Sequence, residues 1–183
     1  LIKEKNTIDT NLNFDEFEEV EKLTVVLTKG GLLKTFKDYL QEDKVKKNIG
    51  DFISCHKILS NQKLLLFVSS GRVYTLDPKK LPSGKSNPRS FIYFVESNSN
   101  EEIVNILPYE NKLRIIVASY LGKGFIADLE EITTSQKKGK QLFNLKNHDK
   151  LYYISNNIDE YIACVSSNSK LLVFKTNELP TLK

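Results

Sequence analysis

The sequence predicts an all-β fold of repeated hairpins, and three observations predict it. Short apolar runs rich in Val, Ile, Leu, Phe and Tyr recur between Gly, Ser and Asn breaks, the pattern of strands bounded by turns. Long stretches of helical period are missing, leaving only short helical turns around Asp77 to Leu81 and Asp128 to Thr133. The runs also come in pairs that recur at nearly constant spacing, the mark of an array of similar units.

The chain of 183 residues and 21.0 kDa is long enough for one domain with a substantial core. Its apolar runs are far shorter than the roughly 18 residues that span a bilayer, so no membrane is expected. No charged segment followed by an apolar core and cleavage site stands at the start, so nothing directs secretion and the cytoplasm is the expected compartment. The sequence holds no Met and begins Leu1-Ile2-Lys3, which reads as the middle of a longer polypeptide. Residues 1–21, acidic and rich in Asn, read as a linker with one short strand at Leu1 to Glu4. The folded domain is expected over 22–183.

Four hairpins follow in order. Their first strands are Thr24 to Thr28, Leu64 to Ser69, Arg114 to Ser119 and Tyr161 to Ser166, and their turn positions Gly31, Gly71, Gly122 and Ser169 lie 40, 51 and 47 residues apart. A basic residue follows three of these turns (Arg72, Lys123, Lys170), and an apolar one stands five residues after each: Phe36, Leu76, Ala127 and Phe174. Five further on come Leu81-Pro82, Ile132 and Leu179-Pro180. Two-residue hairpin turns need positive φ, which Gly reaches without strain; where Ser169 replaces Gly, Asn168 is expected to take the left-handed position. Four copies of a strand-rich unit predict a propeller-like array whose small sheets bury their faces on their neighbours. The copies predict Phe36, Leu76 and Phe174 between sheets.

Charge is uneven. Residues 1–20 carry two lysines and six acids, or −4, so the remainder carries +8 and the whole chain +4. A basic folded part admits nucleic acid as a partner without requiring it. Cys55, Cys164, His56 and His148 show no metal-ligand spacing. No phosphate loop of the GxxxxGK[ST] form and no Ser/His/Asp signature occurs, so catalytic and metal residues are expected to be none.

The matching stretches Thr24-Val25-Val26-Leu27-Thr28, Phe67-Val68-Ser69-Ser70-Gly71-Arg72-Val73-Tyr74-Thr75-Leu76-Asp77-Pro78, Ala118-Ser119 with Gly122-Lys123-Gly124-Phe125, Gly139-Lys140, and Leu171 to Phe174 with Glu178-Leu179-Pro180 resemble a known family. It is the C-terminal domains of bacterial type IIA topoisomerase A subunits, nearer to topoisomerase IV (ParC) than to gyrase. The resemblance implies a β-pinwheel of about four blades that exchange strands, with double-stranded DNA bent around a basic outer edge. It implies that the DNA-cleaving tyrosine lies in an upstream A-subunit core, that ATP and Mg serve the holoenzyme with its ATPase B subunit, and that this domain needs no cofactor. The Gln-Arg-Arg-Gly-Gly-Lys-Gly box of gyrase is replaced by Gln41-Glu42-Asp43-Lys44-Val45-Lys46-Lys47-Asn48-Ile49-Gly50, read as a lysine-bearing loop. A gyrase domain with a decayed box and a protein-interaction propeller are the alternatives.

DNA wrapping needs cations spread along a curved surface, because affinity comes from displacing counterions from phosphates. The segments after each second strand supply Lys44, Lys46 and Lys47; Lys79, Lys80, Lys85 and Arg89; and Lys137, Lys138 and Lys140. Their recurrence predicts one rim. Arg72, Lys123 and Lys170 serve either DNA or the protection of an edge strand from pairing. Tyr74, Tyr93, Tyr120, Tyr152 and Tyr153 are expected in cores or between blades, since most alternate with aliphatic residues.

Overall fold

The computed structural model describes residues 19–97, 100–146 and 148–182. Residues 1–18 of the expected linker, with its strand at Leu1 to Glu4, lie outside the described residues. The first repeat comprises β1 (Lys22–Thr28), β2 (Leu32–Lys37), helix α1 (Glu42–Ile49) and β3 (Phe52–Leu59). The second holds β4 (Leu64–Val68), β5 (Arg72–Leu76), a 3-10 turn at Pro78–Lys80, β6 (Arg89–Ser90), a second 3-10 turn at Phe91–Tyr93, and β7 (Ile103–Pro108). The third holds β8 (Arg114–Ser119), β9 (Gly124–Asp128), α2 (Leu129–Ile132), β10 (Lys140–Gln141) and β11 (Leu151–Ser155). The fourth holds β12 (Tyr161–Val165), β13 (Leu171–Lys175), a 3-10 turn at Thr176–Glu178 and β14 (Thr181–Leu182). Both short helical segments expected after second strands are present.

The strands form three four-stranded sheets, and a two-stranded hairpin β12-β13. The first sheet is ordered β3-β1-β2-β6, the second β10-β5-β4-β7 and the third β11-β8-β9-β14. In each four-stranded sheet the central hairpin takes one flanking strand at its first strand and another, two residues long or nearly so, at its second; the latter comes from the following repeat. The fold is a β-pinwheel. The Leu-Pro steps noted in the sequence are where this exchange begins: Thr35 N–H donates to the Pro82 carbonyl at 2.8 Å, and Ile126 N–H to the Pro180 carbonyl at 2.8 Å. The fourth unit is smaller than the others, a hairpin paired with no further strand among the described residues.

Strand β4 shows why the blades stack. Leu64, Leu66 and Val68 join Val25, Leu27 and Ile58 in a core between the first and second sheets. Leu65 and Phe67 join Ile115, Val117 and Leu129 in another core between the second and third. Successive strand side chains face opposite ways, so a strand buried on both faces must be apolar throughout, as Leu-Leu-Leu-Phe-Val is. Each such side chain contributes about 1.5–3 kcal/mol on burial. Leu76 is buried as expected and Ala127 is buried too, whereas Phe36 and Phe174 are only half-buried. They stand at outer ends of the stack, with a neighbouring sheet on at most one side.

All four hairpins share one turn. In each the N–H of the glycine position donates three residues back: Gly31 to Thr28, Gly71 to Val68, Gly122 to Ser119 and Ser169 to Ser166. The φ values are +72°, +79°, +81° and +61°. This is a type I turn closed by one left-handed residue, longer than the two-residue turn expected. Ser169 itself, rather than Asn168, adopts the left-handed conformation. A hydroxyl at the turn start fixes three of the loops, accepting from Leu32 N at Thr28, Lys123 N at Ser119 and Lys170 N at Ser166.

Strand β3 packs beside β7 and β7 beside β11, and Asn105 Nδ2 donates across to the Ile154 carbonyl at 2.9 Å. These third strands form the inner edges of the blades. The exchanged strands β6, β10 and β14 occupy the opposite, outer edges.

Candidate nucleic-acid interface

The exchanged segments carry the cations outward. Arg89 pairs with Leu33 across the β6–β2 ladder and Lys140 with Val73 across β10–β5. Leu33 and Val73 each stand two residues past their turn glycine, so Arg89 and Lys140 occupy one position repeated in successive blades. The segments are tied down through their backbones. Lys34, buried at 8% exposure, donates from Nζ to the Ser86 carbonyl at 2.6 Å. Arg72 Nη1 donates to the Lys138 carbonyl at 2.8 Å, Glu96 N–H to the Lys137 carbonyl at 2.9 Å, and Lys140 Nζ to the Glu131 carbonyl. Lys85, Arg89, Lys137 and Lys138 are exposed and join no ion pair among the described residues. A fixed backbone presenting cationic groups free of ion pairs is able to bind phosphate oxygens.

Gly139 is what lets the segment lie so close. At φ +68°, a Cβ there would stand 2.5 Å from the Val73 carbonyl oxygen and 2.7 Å from the Tyr74 ring.

Other cations do not share this place. Lys44, Lys46 and Lys47 lie on α1, not in a loop, because Val45 is buried while acids at Glu42 and Asp43 and lysines at the far end suit the helix dipole. Helix α1 packs on β3, with Lys46 Nζ 5.9 Å from the Phe52 ring centre, so a helix and not an exchanged strand carries this trio. Lys79 and Lys80 stand on the 3-10 turn where the third repeat has Glu130 and Glu131, so their charge does not recur, and Lys80 lies 3.8 Å from Asp77. Lys123 and Lys170 are exposed directly after their turns. β5 is covered by β10 and β9 by β14, so neither Arg72 nor Lys123 guards an open edge.

The tyrosines depart most from expectation. Tyr74 is buried, and burial, with its hydrogen bond to Glu101, pushes its phenol up to about 12. Burial opposes ionisation of Glu101, but hydroxyls of Ser70, Ser97 and Tyr74 outweigh it and hold the carboxyl below its ordinary range. Tyr93, Tyr120, Tyr152 and Tyr153 are exposed. Tyr93 stands on a 3-10 turn and Tyr120 in the hairpin turn after β8, while Tyr152 and Tyr153 are both exposed beside a register shift in β11, so strand alternation governs none of them. Arg89 lies 5.9 Å from the Tyr93 ring, a contact made across the step from β6 into the 3-10 turn. Among the described residues no three His, Cys, Asp or Glu side chains converge as a metal site, and no helix is long and apolar enough to cross a membrane.

No protein-family model matches the chain. Over 168 residues, 89% of this chain, it is 32% identical to the DNA topoisomerase 4 A subunit of Rickettsia conorii. Over 164 residues, 88% of the chain, it is 28% identical to the corresponding protein of Caulobacter vibrioides. The E. coli ParC C-terminal domain superposes with a TM-score of 0.77 at 21% identity, covering 88% of this chain and 68% of that one. The chain resembles the C-terminal domain of the topoisomerase IV A subunit. A second solved C-terminal domain of DNA topoisomerase IV matches with a TM-score of 0.74 at 18% identity, over 90% of this chain and 55% of that one. The topoisomerase IV resemblance read from the repeats is thus borne out in sequence and fold. The chain spans 22% of the length of the curated topoisomerase IV proteins it matches.

Proposed function

We propose that the chain is a DNA-binding and DNA-bending module of a topoisomerase IV A subunit, gripping duplex along the outer edges of its blades. The observation that carries this reading is the repeated placement of Arg89 and Lys140 at one ladder position, each beside further exposed lysines on a backbone-anchored segment. Two such groups on successive outer edges face a duplex from the inside of its bend. Within the holoenzyme the module orients the segment to be passed, while strand cleavage, ATP and Mg belong to the upstream core and the B subunit, in the cytoplasm.

The test is duplex binding by the K137A/K138A/K140A variant across a salt series. Phosphate contacts set the slope of log affinity against log salt, so the variant should lose about two to three units of slope, equally for any sequence. Its thermal melt should barely move, since exposed lysines contribute about half a kcal/mol or less each. A normal melt with an unaltered slope would remove the segment from the DNA site.

A further inference from the structure

We propose that Tyr120, Leu121 and Tyr152, at the turn end of the third hairpin, form an apolar contact for the groove edge of a bent DNA duplex, beside the turn-end cations Arg72 and Lys123 and not on the outer edge itself. The inference rests on the DNA-binding reading and adds a second, uncharged mode of contact to it. The three side chains are 60%, 62% and 63% exposed, and the two rings meet edge to face with centroids 5.7 Å apart. Soluble proteins seldom keep clustered aromatic and aliphatic side chains in water without a use for them.

The patch is held rigidly from behind. Tyr120 N–H donates to the Lys150 carbonyl at 2.8 Å, and Leu121 N–H to Asp149 Oδ1 at 3.0 Å. At the equivalent turns the two residues are Lys29-Gly30, Ser69-Ser70 and Ser167-Asn168; only this turn presents two large apolar groups. An aromatic platform fixed before binding loses little entropy when a partner arrives.

Charge and continuity identify the partner as duplex DNA. Lys150 Nζ lies 5.9 Å from the Tyr120 ring centre, Lys123 follows the turn, and the Asp149 carboxylate between them accepts from the backbone amides of Leu121 and Lys150. The patch adjoins the cation group on the second sheet through backbone hydrogen bonds: Leu142 and Phe143 N–H donate to the Gly71 carbonyl at 3.0 Å, and Leu151 N–H to the Ser69 carbonyl at 2.9 Å. Arg72 follows Gly71 directly. Apolar side chains set among phosphate-binding cations are how bending proteins press on a groove.

The salt series separates this contact from the lysines. Loss of an apolar contact lowers affinity at every salt concentration without changing the slope, which counts phosphates alone. In the 183-residue chain, Y120A/Y152A should bind the same duplex as the lysine variant about tenfold more weakly, with the wild-type slope. Y120F/Y152F, which keeps both rings, should bind as wild type. Should Y120A/Y152A melt early, L121S probes the same patch without disturbing the ring pair, and weaker binding at constant slope is again expected. Wild-type affinity in the Ala variant, or in L121S if that is the one that folds, overturns the contact and leaves a protein partner as the patch's use. Failure of the unmutated chain to bind duplex at all overturns the DNA reading itself.

Discussion

Glycine positions that look alike in the sequence do different work. Gly122 and Gly71 have nearly the same φ, +81° and +79°, but a Cβ at Gly122 meets nothing within 4 Å whereas one at Gly71 would collide with the Phe143 carbonyl oxygen. G122A should therefore cost only the left-handed strain, about 1–2 kcal/mol. G71A should cost clearly more, because the obstacle is backbone that must itself shift; urea denaturation of the two variants compares them directly. His56 offers a second reading at this scale. Burial pulls its pKa below the ordinary value, outweighing a backbone hydrogen bond at Ile106, and its Nε2 is buried without a partner. The unfolded chain takes up the proton near pH 6.5 while the folded one resists it. Stability is thus fully present above about 6.5 and declines as pH falls from there toward the lowered folded value. Denaturant melts at about pH 7.5 and about pH 5.5, on either side of that window, should show the decline, and H56L should flatten it.

At the scale of elements, the hairpins were legible because each combines an apolar run, a turn hydroxyl and a residue able to take positive φ. The exchanged strands were not. Arg89–Ser90, Lys140–Gln141 and Thr181–Leu182 are two residues long, too short for any periodicity, and their partners lie in the preceding repeat. The recurrence of Leu81-Pro82 and Leu179-Pro180 was visible, but that it marks a crossing to another sheet needs the ladder. Helix α1 has no apolar stripe to betray it, since it buries one residue, Val45; the acids at its start and lysines at its end were the available signal. The exposed tyrosines were misplaced since Tyr93 and Tyr120 fall in turns and Tyr152 and Tyr153 beside a register shift, where strand alternation does not hold. One consequence is testable on β10. G139A retains every cation, yet its Cβ collides with the backbone at Val73, so the segment should lift from β5. Duplex affinity should fall while the β4–β5 hairpin stays protected in hydrogen exchange, separating the position of the lysines from their charge.

For the whole molecule, the basic residues are divided among elements in a way that net charge hides. β3, β7 and β11 converge at the inner edges, α1 lies against β3, and the exchanged segments run along the outside. Two clusters of three lysines therefore sit on different elements: Lys44, Lys46 and Lys47 on α1 against β3, and Lys137, Lys138 and Lys140 on the exchanged segment over β5. Replacing either trio with alanine takes the formal charge from +4 to +1, so the change in the long-range field that draws DNA toward the chain is nearly equal in the two variants. What differs is contact. If duplex follows the outer edge, K137A/K138A/K140A loses phosphate contacts and salt slope, whereas K44A/K46A/K47A keeps most of its slope and shows mainly slower association at low salt, measured by stopped-flow mixing. Equal losses of slope in the two variants would mean that DNA responds to total charge rather than to a track. A larger loss from the α1 trio would place the duplex on α1 and overturn the proposed path.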